Sequence, residues 1–535
     1  MQHSNENLQT IFSKLASDYH CSLLFPDSQD YVLGLIFYKA VSDNVIREAY
    51  SLVNHGYVVG QRIDLNEAQN CYEQAMADEA ICGDLTQKLL DKLGYVIKPE
   101  LTFAALNKKV QANEFQLEHL REAFKELDSS DNKTYQGIFS GLNFDQFAYN
   151  SSDSAEKLMN ETFASSLLSS IIASLATVDF SLYSDTDLSE SYELLNEELL
   201  LRSRVDSVFY PPKAVAELMA RLVISGKENE PEFSVYDPCC GSGTLMLHVG
   251  KCLGLNSNTN KTIELYGQEV RVSSYNLARM NMMLNNVSNT CWHLNNGNTL
   301  AQDWPNEGQT KFDACVMNPP YAQKYSADKS LLDDPRFSKY GVLPPYSKAD
   351  YAFLLHGLYH LKDDGTMAIM FPHGVLSRGA SEGKIRKALL DEGSIYAVIG
   401  LPAGILFKTS IPTCIIVLKK NHTSKDVLFI DASQEFQKKR ATIELMPEHL
   451  DKIFKAYQER TNVEQFAYLA PYEEIVANDY SLNITNYVDA TKPAIQVDLS
   501  SALASLAQAQ IEDKEIDKKL DFYLNKLELN LKGGR

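Results

Sequence analysis

Short apolar runs alternate with helix-forming segments after Phe209, and this alternation is the main structural signal of the chain. Six runs are typical of buried strands: FSVYDP, TIELYG, FDACVMNPP, TMAIMFP, IYAVIGLP and TCIIVLKK. Strand-like runs that alternate with helical patterns predict βαβ units and a mostly parallel sheet. The pattern therefore predicts an α/β domain over residues 190–490.

The region before the sheet has a helical pattern. Apolar side chains recur at helical spacing in three segments of residues 1–180: Asp30–Asp43, Phe115–Leu127 and Ser154–Ala173. Residues 1–180 are therefore predicted to form a helical domain. The polar, turn-rich segment Ser181–Glu190 is predicted to be a linker.

Residues 491–535 return to helix-forming composition and predict a helical tail. Ile516, Leu520, Tyr523 and Leu527 step by four, three and four and form one apolar stripe. Such a stripe must be buried on something. Two alternatives stay open, namely the body of this chain and a helical partner.

The composition is that of a globular protein with an acidic surface. The 535 residues are 44% apolar and 22% charged, and the length suggests about two to four domains. Fifty Lys and Arg against 70 Asp and Glu give a net charge of −20. Because phosphate contacts need clustered basic residues, we expect the chain to bind nucleic acid only with the help of a basic partner.

The cysteines and the N-terminus predict a cytoplasmic protein without a metal site. The nine cysteines are scattered, and they form no Cys/His cluster with zinc spacing, so reduced thiols are expected. The N-terminus lacks the pattern of a signal peptide, and we expect no apolar stretch long enough to span a bilayer. No membrane association is expected.

The first motif is a glycine loop, VYDPCCGSGTLML, over Val235–Leu247. A strand leads into Asp237, and Gly241 and Gly243 let the backbone turn tightly and approach a ligand before a helix begins. In open α/β sheets, ligands lie at the carboxyl ends of the strands, which this loop would line. No Lys-Ser/Thr follows the glycines, so it is not a phosphate-binding P-loop. An ordinary strand-to-helix turn is the alternative.

The second motif is an acid at the end of the next strand. In TIELYGQE, Glu269 follows Gly243 by 26 positions. By analogy with dinucleotide folds, this carboxylate is a candidate acceptor for ribose hydroxyls. A surface glutamate on a loop is the alternative.

The third motif, FDACVMNPPY, is the most informative. Two prolines, Pro319 and Pro320, stiffen the backbone and remove two N–H donors, so that a main-chain carbonyl can point outward beside the Asn318 amide. Two acceptors beside the flat ring of Tyr321 can hold a planar amine, and accepting both N–H bonds of adenine stabilises the charge that develops on methyl transfer. The base must leave the duplex to reach such a pocket. A rigid Pro-Pro turn is the alternative. The three motifs end successive predicted strands, which places them along one edge of one sheet.

With these motifs in place, the chain resembles the methylation subunit of type I restriction-modification systems, the HsdM family, over nearly its full length. The resemblance rests on a series of segments in the family's order: DYVLGLIFYKAVSD, FYPPKAVAELMARLV, DPCCGSG, SSYNLARMNMMLNN, NPPY, KADYAFLLHGLYHLKDDGTMAIMFPHGVL, LPAGILFKTSIPTCIIVLKK and NDYSLNITNYV. NPPY alone is shared with other methyltransferases, so the series carries the specificity.

The resemblance implies an adenine-specific, site-specific DNA methyltransferase. It implies a seven-stranded class I methyltransferase sheet, a helical N-terminal domain and a helical C-terminal tail, with S-adenosylmethionine as methyl donor and N6 of adenine in double-stranded DNA as acceptor. It also implies an HsdS-like specificity subunit that reads the sequence, an HsdR-like restriction subunit, and two methylation subunits per complex.

The resemblance also assigns residues to roles. Asn318 and the Pro319 carbonyl would bind the adenine amine, with Pro320 and Tyr321 completing the catalytic motif. Tyr321 and Phe407 would stack on the base, although Phe407 is equally well read as a core residue. The residues implied for the cofactor are Tyr210, Asp237, Gly241, Gly243, Thr244, Glu269, Asn298, Thr299 and Asn318.

Two departures from the family pattern concern the cofactor. GNTL stands where GDTL is usual, so Asn298 replaces an acid expected at the cofactor's adenine amine and offers a weaker, uncharged acceptor. FYPP stands where a Thr is usual between Tyr and Pro. Both changes bear on cofactor affinity more than on the type of reaction.

Three alternative hypotheses compete with the interpretation as a DNA methyltransferase. A protein-glutamine or RNA methyltransferase also uses NPPY, but the long helical N-terminus and the tail favour the DNA family. An enzyme-like scaffold with a degenerate cofactor pocket would explain the two departures. An NAD oxidoreductase is disfavoured because no GxGxxG follows a strand.

Overall fold

Helices form the first part of the chain, as the pattern predicts. The computed structural model describes residues 8–20, 28–54, 63–142, 154–202, 211–257, 261–305, 311–406, 409–439, 443–489 and 499–526. Within these residues, eight α-helices form the helical region: α1 Leu8–His20, α2 Ser28–Val53, α3 Leu65–Ala77, α4 Cys82–Leu93, α5 Phe103–Gln111, α6 Leu117–Asp128, α7 Ser154–Ala176 and α8 Asp185–Arg202. The three helical segments predicted from spacing are confirmed by α2, α6 and α7.

The predicted linker Ser181–Glu190 is wrong in its second half, because α8 begins there. The Asp187 backbone N–H donates to the Ser184 hydroxyl at 3.1 Å, and the Ser184 N–H donates back to the Asp187 carboxylate at 3.1 Å. This reciprocal pair satisfies two N–H groups at the start of the helix. A Ser followed three positions later by an acid is a signal for a helix start that the linker prediction overlooked.

The expectation that no segment is long enough to span a bilayer is also wrong by length and composition. Thr162–Leu182 is a 21-residue stretch with a mean hydropathy of 1.5. Leu168, Ile171 and Leu175 in this stretch are buried in the core of the helical region. A core helix can have the same length and composition as a membrane helix, and these buried residues place part of the stretch in such a core.

Among the residues described, the sheet contains nine strands: β1 Glu232–Asp237, β2 Thr262–Glu269, β3 Trp292–Asn296, β4 Phe312–Met317, β5 Leu361–Pro372, β6 Ile395–Gly400, β7 Thr413–Lys419, β8 Val427–Asp431 and β11 Ala467–Ala470. A separate small hairpin is formed by β9 Gln437–Lys438 and β10 Ile443–Glu444. The strand order of the sheet is β11-β8-β6-β7-β5-β4-β1-β2-β3.

The predicted class I methyltransferase sheet is confirmed, and it is extended. From β3 to β6 the order contains seven strands, in which β7 lies antiparallel between β5 and β6. Two more strands follow, β8 parallel to β6 and β11 antiparallel to β8, so the expected count of seven is too small. All six runs predicted as strands form strands. The short or polar strands β3, β8 and β11 were not predicted.

In the described part of the chain, seven helices accompany the sheet: α9 Lys213–Ile224, α10 Thr244–Leu253, α11 Val272–Leu284, α12 Asp350–Tyr359, α13 Ala380–Asp391, α14 Pro447–Glu459 and α15 Tyr472–Ala477. Val235 of β1 packs in a core with α9 and α10, whereas its neighbour Tyr236 packs in a second core with α12 and α13. Because successive strand residues point to opposite faces, the sheet is covered on both sides.

The strands that carry the three motifs are adjacent. β1 is paired in parallel with β2 on one side and with β4 on the other, so that Tyr236 lies beside both Tyr266 and Cys315. The carboxyl ends of these strands therefore meet at one edge, and they deliver Asp237, Glu269 and Asn318 to it.

The helical region is fastened to the α/β domain through α11. Arg279 is buried, and its guanidinium donates to the carbonyls of Lys133, Thr134 and Gln136 at 3.1, 2.9 and 2.9 Å. The Asn276 amide donates to the Gly137 carbonyl at 3.0 Å. Both regions belong to one compact unit, residues 1–488, and the boundary proposed between 180 and 190 stays a prediction.

Residues 489–535 form a second unit. Its helix, α16 Leu499–Lys526, agrees with the predicted helical tail. Ile516, Leu520 and Tyr523 of the apolar stripe are 62%, 53% and 59% exposed, and Leu527 lies outside the described residues.

Candidate active site

The glycine loop begins at a buried carboxylate. Asp237 ends β1, and its Oδ1 accepts the Cys239 N–H at 3.0 Å. Its other oxygen, Oδ2, is buried and has no hydrogen-bond partner in the described part of the chain. Gly241 and Gly243 have φ values of +53° and +80°, the left-handed region that favours glycine. A Cβ at Gly243 would also lie 3.0 Å from the Met282 Cε atom, so this glycine allows α10 and α11 to pack closely.

Glu269 fixes the shape of the same loop. Its Oε2 accepts the Gly241 N–H at 3.1 Å, and its Oε1 accepts the Arg271 N–H at 2.8 Å. The acid is therefore bonded to the backbone on both sides, rather than being a free surface group. Each carboxylate oxygen still has a second lone pair for a ligand hydroxyl.

The strand ends enclose a cavity of about 410 Å³. Most of the residues predicted for the site line it together: Asp237, Gly241, Thr244, Glu269, Asn298, Thr299, Asn318, Pro319 and Pro320. Gly243 and Tyr321 are chain neighbours of lining residues but do not themselves line the cavity. Tyr210 and Phe407 lie outside the described residues, so their predicted roles stay predictions.

Two carboxyl groups, Asp237 and Glu269, line the cavity together with the basic residues Arg271 and Lys324. Burial raises the pKa of Asp237 to about 8, and the negative charge of Glu269 adds to the effect, while the hydrogen bond from Cys239 opposes it. Burial also raises the pKa of Glu269 above its usual range. A half-satisfied buried carboxylate is costly unless a donor or a cation binds beside it. The cavity is therefore suited to a ligand with a positive or hydrogen-bond-donating group.

The turn Asn298–Leu300 forms another wall. The Asn298 Oδ1 accepts the Leu300 N–H at 3.1 Å, and the Thr299 hydroxyl donates to the Pro238 carbonyl. The Asn298 amide oxygen thus already accepts the Leu300 N–H, and a ligand amine would have to share this acceptor.

A buried polar network supports this turn from behind. Arg336 donates to the Thr299 carbonyl at 3.1 Å and lies 3.1 Å from the His356 Nδ1 atom. Asp303, His356 and His360 offer ligand atoms within 4.8 Å of one another. The Arg336 guanidinium, 3.7 Å from the Asp303 carboxylate, already places positive charge among these atoms. Burial and neighbouring positive charge hold the pKa of His356 well below its usual range, which suits a neutral ring that accepts from Arg336.

The NPPY motif is tied together internally. The Tyr321 hydroxyl donates to the Asn318 Oδ1 atom at 2.7 Å. Burial raises the pKa of the Tyr321 phenol well above its usual range, so the hydroxyl keeps its proton. Because an amide oxygen has two lone pairs, Asn318 can accept a second hydrogen bond from a substrate amine.

Asp350 holds the turn that follows the motif, and sequence reasoning missed it. Its Oδ1 accepts the Ala322 N–H at 3.0 Å, where Ala322 has the unusual φ of +51°. Its Oδ2 pairs with Arg378, whose Nε lies 2.6 Å from a Glu382 oxygen. Asp350 is 1% exposed. The acid stands in the family-like KADYAF segment, but its distance from NPPY along the chain gave no sign of the contact.

Two apolar side chains at the cavity were also missed. Val270 follows Glu269 and is 61% exposed, and Phe353 of α12 is buried. Both line the cavity. The position of Val270 directly after the strand-end acid Glu269 is the signal that sequence reasoning could have used.

Two family models match the chain. One, described as N-6 DNA Methylase, matches residues 184–494, and the other, described as the HsdM N-terminal domain, matches residues 27–160. Together they cover most of the described sheet and helical region.

The chain is also similar to individual proteins. The type I restriction enzyme MpnII methylase subunit of Mycoplasma pneumoniae is 29% identical, over 92% of this chain and 91% of that protein. The MjaVII methylase subunit of Methanocaldococcus jannaschii is 26% identical, over 93% and 81%. Among solved structures, the type I restriction-modification methyltransferase subunit from Streptococcus thermophilus is 41% identical with a TM-score of 0.80, over 90% of this chain and 100% of that chain.

The contact between Asp350 and Ala322 generates the first prediction. Asp350→Ala removes the acceptor that holds the NPPY turn, and a displaced catalytic group costs about 100-fold in rate. Asp350→Asn keeps an acceptor oxygen but loses the ion pair with Arg378. We expect single-turnover methyl transfer to fall strongly in the alanine variant and only slightly in the asparagine variant, with both melting temperatures lowered. An alanine variant with wild-type transfer would show that Asp350 does not position the turn.

Proposed function

Because the chain belongs to the N6-adenine DNA methylases that serve as the methylation subunits of type I restriction-modification systems, we propose that the cavity at the ends of β1, β2 and β4 is its active site. The chain is an adenine-specific DNA methyltransferase of this family. One observation carries the assignment of the site: nine residues predicted from four separate segments of the chain line one cavity.

The cavity fits S-adenosylmethionine, which supplies an electrophilic methyl group when bound. The buried, unpartnered Oδ2 of Asp237 suits the cofactor's ammonium group. Glu269 would accept from the ribose hydroxyls, and Val270 and Phe353 offer apolar walls for the adenine ring. Thr244 at the start of α10, Thr299 and the left-handed glycines complete the proposed binding set.

The substrate adenine would be held by acceptors alone. Asn318 Oδ1 and the Pro319 carbonyl would accept the two N–H bonds of the exocyclic amine, and neither Pro319 nor Pro320 has a backbone N–H to compete for them. These acceptors stabilise the positive charge that develops on the nitrogen as the methyl group is transferred. Tyr321 would keep the Asn318 amide oriented and present its ring to the base.

In the proposed cofactor site, Asn298 stands where the family usually has an acidic residue. Because Oδ1 already accepts the Leu300 N–H, Asn298 offers the adenine amine a shared acceptor. The rival interpretation as a scaffold requires a degenerate pocket, and a cavity of about 410 Å³ with the buried Oδ2 of Asp237 at its wall speaks against it.

Partners are proposed because the chain is too acidic to hold DNA unaided. Its net charge is −20. A specificity subunit that reads the sequence, two methylation subunits per complex and a restriction subunit follow from the family. The exposed stripe of Ile516, Leu520 and Tyr523 on α16 is the proposed docking surface, since exposed apolar stripes of this kind are buried on a partner helix.

Removal of the amide acceptor tests the catalytic assignment. Asn318→Ala should lower the rate of methyl transfer by about 10²–10³, by analogy with the loss of one oxyanion-hole donor, and should leave cofactor affinity nearly unchanged. Tyr321→Phe is the matched control, because it keeps the ring and frees a lone pair on Asn318; we expect a mild effect. Near-wild-type transfer by Asn318→Ala would contradict the assignment.

The pKa of Asp237, about 8, predicts a pH dependence of cofactor binding. A bound ammonium group favours the ionised carboxylate, so binding below about pH 8 releases a proton and affinity rises with pH, by at most about tenfold per unit, before it levels off. Isothermal titration in two buffers of different ionisation enthalpy measures the proton release. Asp237→Asn should bind more weakly and lose most of the pH dependence. A wild-type affinity for S-adenosylmethionine that stays constant between about pH 6 and 8 would contradict the role of Asp237.

The tail is tested by deletion and by point substitution. Removing residues from Lys514 onward should leave S-adenosylmethionine binding intact but abolish co-purification with the specificity subunit and DNA methylation. Ile516→Lys with Leu520→Lys should do the same, whereas Lys518→Ala on the opposite face of the helix should not. A truncated chain that still co-purifies with its partner would contradict the docking role. Strong sequence-specific methylation by the isolated chain would contradict the need for a partner.

A further inference from the structure

The segment between the NPPY motif and α12, residues 322–349, is fastened beside the cavity at both ends; we call it the rim segment. The Tyr325 N–H donates to the Tyr346 carbonyl at 3.0 Å, and the Ala349 N–H donates to the Gln323 carbonyl at 2.9 Å. Gln323, Lys324 and Tyr325 line the cavity together with Asn318. The backbone of Tyr346 therefore lies beside Tyr325, a residue that lines the cavity, although Tyr346 is 28 positions from Asn318.

The rim segment presents an exposed aromatic ring on a fixed backbone. Tyr346 is 66% exposed. The backbone around it is held by the Tyr325 hydroxyl, which donates to the Pro344 carbonyl at 2.8 Å, and by the Lys348 N–H, which donates to the Pro345 carbonyl at 2.9 Å. Single exposed apolar residues are common on proteins. The position and the charge around this one make it informative.

The rim segment is basic in an acidic chain. It contains five Lys and Arg against three Asp, whereas the whole chain carries −20. Arg336 pairs with Asp334 and Lys339 with Glu392, at 2.6 and 2.7 Å. For the remaining three basic residues, the described part of the chain records no ion pair: Lys324, Lys329 and Lys348.

An aromatic ring beside unpaired ammonium groups is the chemistry that recognises nucleic acid, because bases stack on rings and phosphates attract cations. A protein partner is the rival occupant. Two observations favour DNA over a protein partner. The rim segment is continuous with the cavity that Asn318 lines, and its net charge is positive.

We propose that the rim segment is a DNA contact surface, in which the Tyr346 ring stacks on a base beside the target adenine once that adenine has left the duplex, and Lys324 contacts a phosphate. The proposal rests on the proposed active site and adds to it a surface that holds the opened duplex.

The ring is tested in the complex with the specificity subunit. With 2-aminopurine in place of the target adenine, Tyr346→Ala should weaken duplex binding by about tenfold and lower the fluorescence rise that reports base unstacking, given what stacking contributes per base. Tyr346→Phe keeps the ring and should match wild type. Leu332→Ala, an exposed apolar residue of the same segment, is the second control and should also match wild type.

The charge is tested by salt dependence. Lys324→Gln should reduce the slope of log affinity against log salt by about 0.9, the value for one lost phosphate contact. Lys339→Gln removes an ammonium that already has a carboxylate partner and should change the slope less.

The results of these experiments distinguish a failure of the rim proposal from a failure of the proposed function. If wild type methylates DNA and Tyr346→Ala binds and unstacks the duplex equally well, the rim proposal is overturned and the proposed active site stands. If Tyr346→Ala loses the specificity subunit on size-exclusion chromatography, the surface binds protein and the proposal is again overturned. If wild type binds S-adenosylmethionine but never methylates a duplex containing its site, the failure lies in the proposed function.

Discussion

The parallel pairing of β1 with β2 on one side and β4 on the other is the constraint on which the site depends. Parallel strands end at the same edge of a sheet, so this pairing brings Asp237, Glu269 and Asn318 together although they are spread over more than 80 positions. The two buried cores that cover the faces of the sheet keep the strands in register. Without that register, the glycine loop, the acid and the amine clamp would be three unrelated surface turns.

The edge is then shaped by hydrogen bonds between the motifs. Glu269 accepts from Gly241 and so links the end of β2 to the loop after β1, while Asp350 accepts from Ala322 and so holds the turn after β4. Both contacts use charged acceptors, which make stronger bonds than neutral ones. One carboxylate oxygen, the Oδ2 of Asp237, has no hydrogen-bond partner among the residues that the structure describes, and this unfavourable arrangement at the cavity wall is what suits the site to a ligand that brings its own positive charge.

The sequence predicted much of this arrangement, because strongly apolar runs and the NPPY motif are local signals. It did not predict β3, Trp292–Asn296, whose polar residues lie at the end of the parallel order where one side is open, or the short strand β11. The helix start at Ser184 was readable but was outweighed by the polar composition around it. Phe353 lines the cavity, Asp350 holds the turn after NPPY and Tyr346 lies beside Tyr325 only because of the tertiary fold, so no spacing along the chain could have assigned them.

The most direct measurement of the central claim is the chemical position of the transferred methyl group. The complex with its specificity subunit would be incubated with a duplex containing the recognised site and with S-adenosylmethionine labelled in the methyl group, and the DNA would then be digested to nucleosides. The account predicts label in N6-methyldeoxyadenosine alone, at the recognised site. Label in a methylated cytosine, or no label while the cofactor is bound, would contradict it.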